Sequence, residues 1–132
     1  MRILVIEDEQ KVSALVKRGL TAERYAVDIT ADGVEGLEYF EAFPYDLVIL
    51  DLMLPRVSGF NVARVLRAHD RTRRAAIVAV TALTSETFRA EALDAGCDSV
   101  LRKPLIGATV VAEIMRLLAK RRNPQASTPP KL

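Results

Sequence analysis

Polar side chains that could handle phosphoryl chemistry follow four apolar segments of this chain, at the point where each segment ends. Glu7 and Asp8 follow the first segment, Asp51 follows the third, Thr81 the fourth and Lys103 the fifth. Clustered carboxylates repel one another unless a cation neutralises them, and a set of oxygen ligands suits Mg²⁺. A lysine, a hydroxyl and a divalent metal can hold phosphoryl oxygens, and a carboxylate beside them can act as a nucleophile. The pattern therefore predicts a metal-dependent site that accepts a phosphoryl group on Asp51.

The elements that must position these residues are short apolar segments that alternate with segments of helical period. Apolar stripes, with Leu15 in the first and Val65 in the third, predict helices that pack one face on a sheet. Five such alternations imply right-handed crossovers and a doubly wound parallel α/β sheet, whose ligands bind at the carboxyl ends of the strands. The predicted strands, of which the second and fifth are weaker and read as edges, cover residues 3–6, 25–29, 47–50, 75–80 and 99–101.

Composition limits the function classes. The 132 residues fit one domain, predicted over 1–122, and the Pro-, Ser- and Thr-containing segment 123–132 is predicted to be a disordered tail or a linker. A net charge of +2 gives no sign of nucleic-acid or membrane binding, and no apolar run approaches the ~20 residues of a membrane span. The single cysteine, Cys97, and the lack of a signal peptide favour a cytoplasmic location.

Over residues 2 to about 120 the chain resembles the response-regulator receiver domain of two-component signalling. This resemblance implies a flavodoxin-like fold of five parallel strands in the order 2-1-3-4-5, with five helices. The motifs that carry it are Ile3-Leu4-Val5-Ile6-Glu7-Asp8-Glu9, Asp51-Leu52-Met53-Leu54-Pro55 with Gly59, Val80-Thr81-Ala82, and Lys103-Pro104.

The resemblance also implies roles for individual residues and partners. Asp51 would attack a phosphohistidine on a sensor histidine kinase or a histidine phosphotransfer protein. Asp8, Asp51 and the backbone carbonyl of Met53 would bind Mg²⁺, and Glu7 would act mainly through a bound water. A downstream output domain or protein would dock on the fourth helix, fifth strand and fifth helix. No direct contact with nucleic acid is expected through this domain.

The resemblance also implies how the site would respond to phosphorylation, and at one position the chain departs from the family pattern. By resemblance, Lys103 would pair with the new phosphate, its bond to Pro104 would be cis, and Thr81 would turn its hydroxyl toward the phosphate. The aromatic residue that usually stands three positions before the lysine is Val100 here. Signal transmission is therefore expected to depend on Thr81 and backbone shifts, or on a weaker substitute for the aromatic residue. The chain is expected to be either a stand-alone receiver or the N-terminal receiver of a longer regulator.

Two positions that flank the phosphate in the family, Met53 and Leu83, are apolar and cannot position a water. We therefore predict slow self-dephosphorylation and no steady enzymatic turnover. One alternative is a phosphatase of the haloacid-dehalogenase type, but such enzymes use a second aspartate where this chain has Met53. Another is a pseudo-receiver that binds partners constitutively and takes up neither Mg²⁺ nor phosphate.

Overall fold

The computed structural model describes residues 1–82 and 85–122. The predicted tail, together with Leu83 and Thr84, lies outside these residues. Strands and helices alternate along the chain as β1 (Arg2–Ile6), α1 (Gln10–Ala22), β2 (Ala26–Thr30), α2 (Gly33–Ala42), β3 (Leu47–Asp51), α3 (Gly59–Ala68), β4 (Ala76–Thr81), α4 (Glu86–Asp94), β5 (Ser99–Arg102) and α5 (Gly107–Arg122).

The five strands form one parallel sheet in the order β2-β1-β3-β4-β5, which confirms the predicted fold and both predicted edge strands. The register brings the strand ends level with one another. Ile6 pairs with Leu50, Asp51 pairs with Val80, and Thr81 pairs with Arg102. The residues that follow β1, β3, β4 and β5 therefore emerge at one edge of the sheet.

Helices cover both faces of the sheet, because successive residues of each central strand point to opposite sides. On β1, Leu4 and Ile6 belong to a core cluster with α2, α3 and α4, whereas Ile3 and Val5 belong to a second cluster with α1 and α5. This burial on both sides explains the continuous apolar runs of the central strands. Leu15 and Val65, predicted on packed helix faces, lie at the margins of those faces, 38% and 37% exposed.

Two helix ends have identifiable sequence causes. The Ser58 hydroxyl accepts a hydrogen bond from the Asn61 N–H and so begins α3 close behind Asp51. Gly96 ends α4 with a φ of 109°, and the N–H groups of Gly96 and Cys97 donate to Leu93 and Ala92 carbonyls. Among the described residues, no helix is both long and apolar enough to cross a membrane.

Candidate functional site

Three acidic side chains converge at the carboxyl ends of β1 and β3. Oxygen atoms of Glu7, Asp8 and Asp51 all lie within 4.8 Å of one another. The side chains of Glu7 and Asp51 are almost completely buried, with 1% and 4% exposed, whereas Asp8 is exposed to solvent. The parallel register produces this convergence, because Glu7 and Asp51 each stand one position beyond the paired residues Ile6 and Leu50.

A single ammonium group links the acids across the site. Lys103 Nζ lies 2.9 Å from Glu7 Oε1, 3.0 Å from Glu9 Oε1 and 3.2 Å from Asp51 Oδ2. Burial opposes the charged form of this lysine, but the adjacent carboxylates of Glu7, Glu9 and Asp51 outweigh that effect and raise the lysine pKa above its usual range. Lys103 is therefore a fixed positive charge.

Sequence reasoning did not assign Glu9 to this site as a partner of Lys103. Its side chain is 61% exposed, and 94 positions separate it from the lysine in the chain. The signal in the sequence was its place in the acidic run after β1. The contact itself depends on how two loops approach one another.

Asp51 has one oxygen held by the backbone and the other by the lysine. Its Oδ1 accepts a hydrogen bond from the Met53 N–H at 2.9 Å, and its Oδ2 accepts one from Lys103 Nζ at 3.2 Å. Met53 itself is 59% exposed to solvent. Asp51 is thus a buried, oriented carboxylate with a cation at one oxygen.

Burial and the neighbouring carboxylates destabilise the charged form of Glu7. Burial is the main cause that raises its pKa to about 7, and the neighbouring Asp51 adds to the increase. Oε2 accepts a hydrogen bond from the Glu9 N–H at 3.1 Å. Buried Oε1 lies 2.9 Å from Lys103 Nζ, yet no donor of the described residues reaches it in hydrogen-bonding geometry.

The excess of negative charge and this unsatisfied buried oxygen fit a hard divalent cation. Three carboxylates share their oxygen cluster with one ammonium group, so the local charge is uncompensated. Mg²⁺ prefers oxygen ligands and needs few of them from the protein, because it keeps several waters. Glu7, Asp8 and Asp51 are therefore a suitable donor set for Mg²⁺.

The strand that carries Thr81 joins the acidic cluster to the lysine loop. Thr81 is buried at the end of β4, next to the strand that ends in Asp51, and its carbonyl accepts a hydrogen bond from the Lys103 N–H at 2.8 Å. The bond between Lys103 and Pro104 is cis, as the resemblance implied. The structure thus brings Glu7, Asp8, Asp51 and Lys103 together and puts Thr81 on the adjoining strand.

The raised pKa of Glu7 predicts a pH dependence of stability in the absence of metal. Between the ordinary value of 4.5 and about 7, the unfolded chain has lost this proton while the folded chain retains it. Stability therefore falls as the pH rises through that window. Urea unfolding of the wild type and of Glu7→Gln in chelator should show the fall in the wild type and a flatter profile in the variant. Parallel profiles would contradict the assignment to Glu7.

The family model described as the response regulator receiver domain matches residues 3–115 of the chain. Among curated relatives, the chain is 38% identical over 119 residues to the response regulator ArlR of Staphylococcus epidermidis, covering 90% of this chain and 53% of ArlR. It is 35% identical over 120 residues to the transcriptional regulatory protein CusR of Escherichia coli, covering 91% of this chain and 52% of CusR. The chain thus spans about half the length of these two regulators.

A solved structure shows the same architecture at comparable identity. The receiver domain of the sensor histidine kinase PA1611 from Pseudomonas aeruginosa, solved with a magnesium ion coordinated in the active site cleft, superposes with a TM-score of 0.77. It is 32% identical, with 91% of this chain and 94% of that chain covered. Sequence motifs, sheet order and the family match agree, and the chain belongs to the response regulator receiver domain family.

Proposed function

We propose that this chain is a phosphorylation-activated switch of a two-component system, with residues 1–122 as the receiver domain and Asp51 as the phosphoacceptor. One observation carries the proposal. The buried Asp51 carboxylate is oriented by the Met53 N–H and lies 3.2 Å from Lys103 Nζ, inside a cluster of three acids. A carboxylate held in this way can act as a nucleophile on phosphorus.

The donor class proposed is a phosphohistidine on a sensor histidine kinase or a phosphotransfer protein. An Asp51 oxygen attacks the phosphorus and forms a P–O bond, while the P–N bond breaks and its electron pair stays on the imidazole nitrogen. The Lys103 ammonium group, already at 3.2 Å from Asp51 Oδ2, can pair with the transferred phosphoryl group. Its contacts with Glu7 and Glu9 hold it there before the transfer.

Glu7, Asp8, Asp51 and the Met53 carbonyl are the groups proposed to hold Mg²⁺. When bound, the ion would neutralise the acids and stabilise negative charge on the phosphoryl oxygens. The magnesium ion in the related receiver of PA1611 supports this choice of metal.

The response to phosphorylation is proposed to begin at Thr81, whose strand lies between the one that ends in Asp51 and the one that leads to Lys103. The expected output surface is α4, β5 and α5. Val100 on β5 is half-buried against the core cluster of α2, α3 and α4, and stands where the family usually has an aromatic residue. We expect the Val100 side chain to move less, when Thr81 shifts, than an aromatic side chain would at this position.

The proposal is tested by phosphorylating the chain with acetyl phosphate and Mg²⁺ and measuring its intact mass. We expect one added phosphoryl group in the wild type, none in Asp51→Asn and none in the presence of chelator. Uptake in Asp51→Asn would place the acceptor elsewhere. Failure to take up phosphate in Mg²⁺ would favour the pseudo-receiver, and steady release of inorganic phosphate from the donor would favour the phosphatase.

The lifetime of the phosphorylated form should depend on Met53. This side chain is exposed beside the acceptor and cannot orient a water for hydrolysis. We expect Met53→Asn to shorten the acyl-phosphate lifetime on the order of tenfold, less than a true general base would achieve, because an amide can only orient the water. Loss of phosphate followed by mass spectrometry measures the rate.

Met115→Asn is the matched control for this prediction. Met115 is also an exposed methionine, 46% accessible, but it lies on α5. Its replacement should leave the lifetime unchanged. Equal lifetimes in the wild type and Met53→Asn would contradict the proposed role of the apolar side chain.

A further inference from the structure

A second charged region lies at the amino end of the sheet, away from Asp51. It is a concave basin of about 700 Å³ whose wall includes the residues just before β4 and the last turns of α5. Strand β4 has six residues, and at ~3.3 Å per residue its length puts the basin roughly 16 Å from the acidic site. The proposed phosphoacceptor chemistry therefore does not use this basin.

The lining of the basin is strongly basic. Among the residues that the structure describes, it contains a single carboxylate, Asp98, and the five cationic side chains of Arg67, Arg73, Arg74, Arg116 and Lys120. Asp98 is already paired, because its Oδ2 accepts hydrogen bonds from Arg67 Nη2 and from the Ile77 N–H, both at 2.8 Å. It cannot offset the charge of the other four cations.

Within the described part of the chain, Arg73 and Arg116 have acidic neighbours outside the lining. Arg73 Nε lies 3.7 Å from Asp70 Oδ1, and Arg116 is paired with Glu113. The Arg73 and Asp70 side chains are 54% and 97% exposed, so water and salt screen their attraction. An anion with several charges can compete with these acids for such arginines.

The basin has a rigid frame. Arg67 Nε donates to the Gly96 carbonyl at 2.9 Å, and Arg67 Nη1 donates to the carbonyls of Arg73 and Ala75. These bonds fix the segment that carries Arg73 and Arg74 against the ends of α3 and α4. A cationic site whose backbone is already held loses less entropy when a ligand binds.

We propose that this basin binds a small polyphosphorylated anion, either an inorganic polyphosphate or a nucleoside polyphosphate. Its volume is in the range of small-molecule sites, and arginine and lysine are the side chains that recognise phosphate. Ala75, Ala76 and Leu117 also line the basin, but each is only 5% exposed, so recognition would fall to the basic side chains. An extended nucleic acid fits less well, since the whole chain carries a net charge of only +2.

The test is calorimetric titration of the full chain with inorganic tripolyphosphate and with ATP, in chelator and 150 mM NaCl, so that metal at the acidic site does not contribute. We expect binding of both probes, weakened about tenfold or more in Arg74→Gln/Lys120→Gln. In the wild type, NMR amide shifts should concentrate at Ala75, Ala76, Asp98 and Leu117.

The control is Lys17→Gln/Arg18→Gln, which removes two exposed positive charges from α1. Its net charge therefore equals that of Arg74→Gln/Lys120→Gln. It should bind both probes like the wild type. If the two double variants lost affinity equally, binding would depend only on the overall charge of the chain, and the proposal would be overturned. So would undetectable binding, NMR shifts at the acidic site alone, or a single-stranded oligonucleotide that binds more tightly than ATP.

Discussion

Replacing Lys103 with methionine is expected to slow phosphorylation of Asp51 by small phosphodonors by about 10²- to 10³-fold, the usual effect of removing one fixed charge-stabilising group. The ammonium group lies within 3.2 Å of Glu7, Glu9 and Asp51 and is only 12% exposed. Its loss would leave the transferred phosphoryl group without this cation and the acids with more uncompensated charge. Rates are measured by intact mass against time at saturating Mg²⁺.

The same variant should respond more strongly to metal in a thermal unfolding experiment. Without Lys103, the buried acids Glu7 and Asp51 depend on Mg²⁺ or on protonation for neutralisation. Mg²⁺ should therefore raise the melting temperature of Lys103→Met by more than it raises that of the wild type.

Lys17→Met is the control, because it removes an exposed lysine from α1 without touching the acidic cluster. It should phosphorylate at the wild-type rate and show the wild-type response to Mg²⁺. A wild-type rate in Lys103→Met would mean that the ammonium group beside Asp51 does not take part in the transfer.

Much of the fold and the position of the site follow from the pattern of apolar runs alone. A parallel sheet brings the carboxyl ends of all its strands to one edge. The residues that follow the first, third, fourth and fifth strands must therefore emerge together, however the helices pack. The observed strand order and the cluster of Glu7, Asp8 and Asp51 agree with that reasoning. The ends of these strands can be located in the sequence because a strand buried on both faces has no polar positions inside it.

What could not be predicted depends on side-chain contacts between distant segments. Glu9 reaches Lys103 across a loop contact that no periodicity encodes. Leu15 and Val65 fit their helical stripes but remain more than one-third exposed, because the edge of a buried stripe depends on how far the neighbouring elements extend. The basic basin likewise combines α3, the loop before β4 and α5, which are far apart in sequence.

Gly59→Ala is expected to destabilise the fold by about 3 kcal/mol, although alanine is the better helix former. Gly59 is the first residue of α3, and its N–H donates to the Leu52 carbonyl at 3.1 Å. A Cβ there would lie 2.3 Å from the Asp51 carbonyl oxygen and 2.6 Å from Leu52 Cα. These are backbone atoms, so relief requires that α3 or the end of β3 moves. The urea midpoint should fall sharply, and phosphorylation should slow because Asp51 moves with its backbone.

Gly107→Ala provides the comparison that separates close approach from helix propensity. Gly107 is also the first residue of its helix, α5, and a Cβ there meets nothing within 4 Å. Its replacement should leave stability unchanged or raise it by up to about 1 kcal/mol. Similar urea midpoints for the two alanine variants would show that α3 does not need glycine to pack against the end of β3. A large loss confined to Gly59→Ala would identify this glycine as the residue that lets the helix approach Asp51.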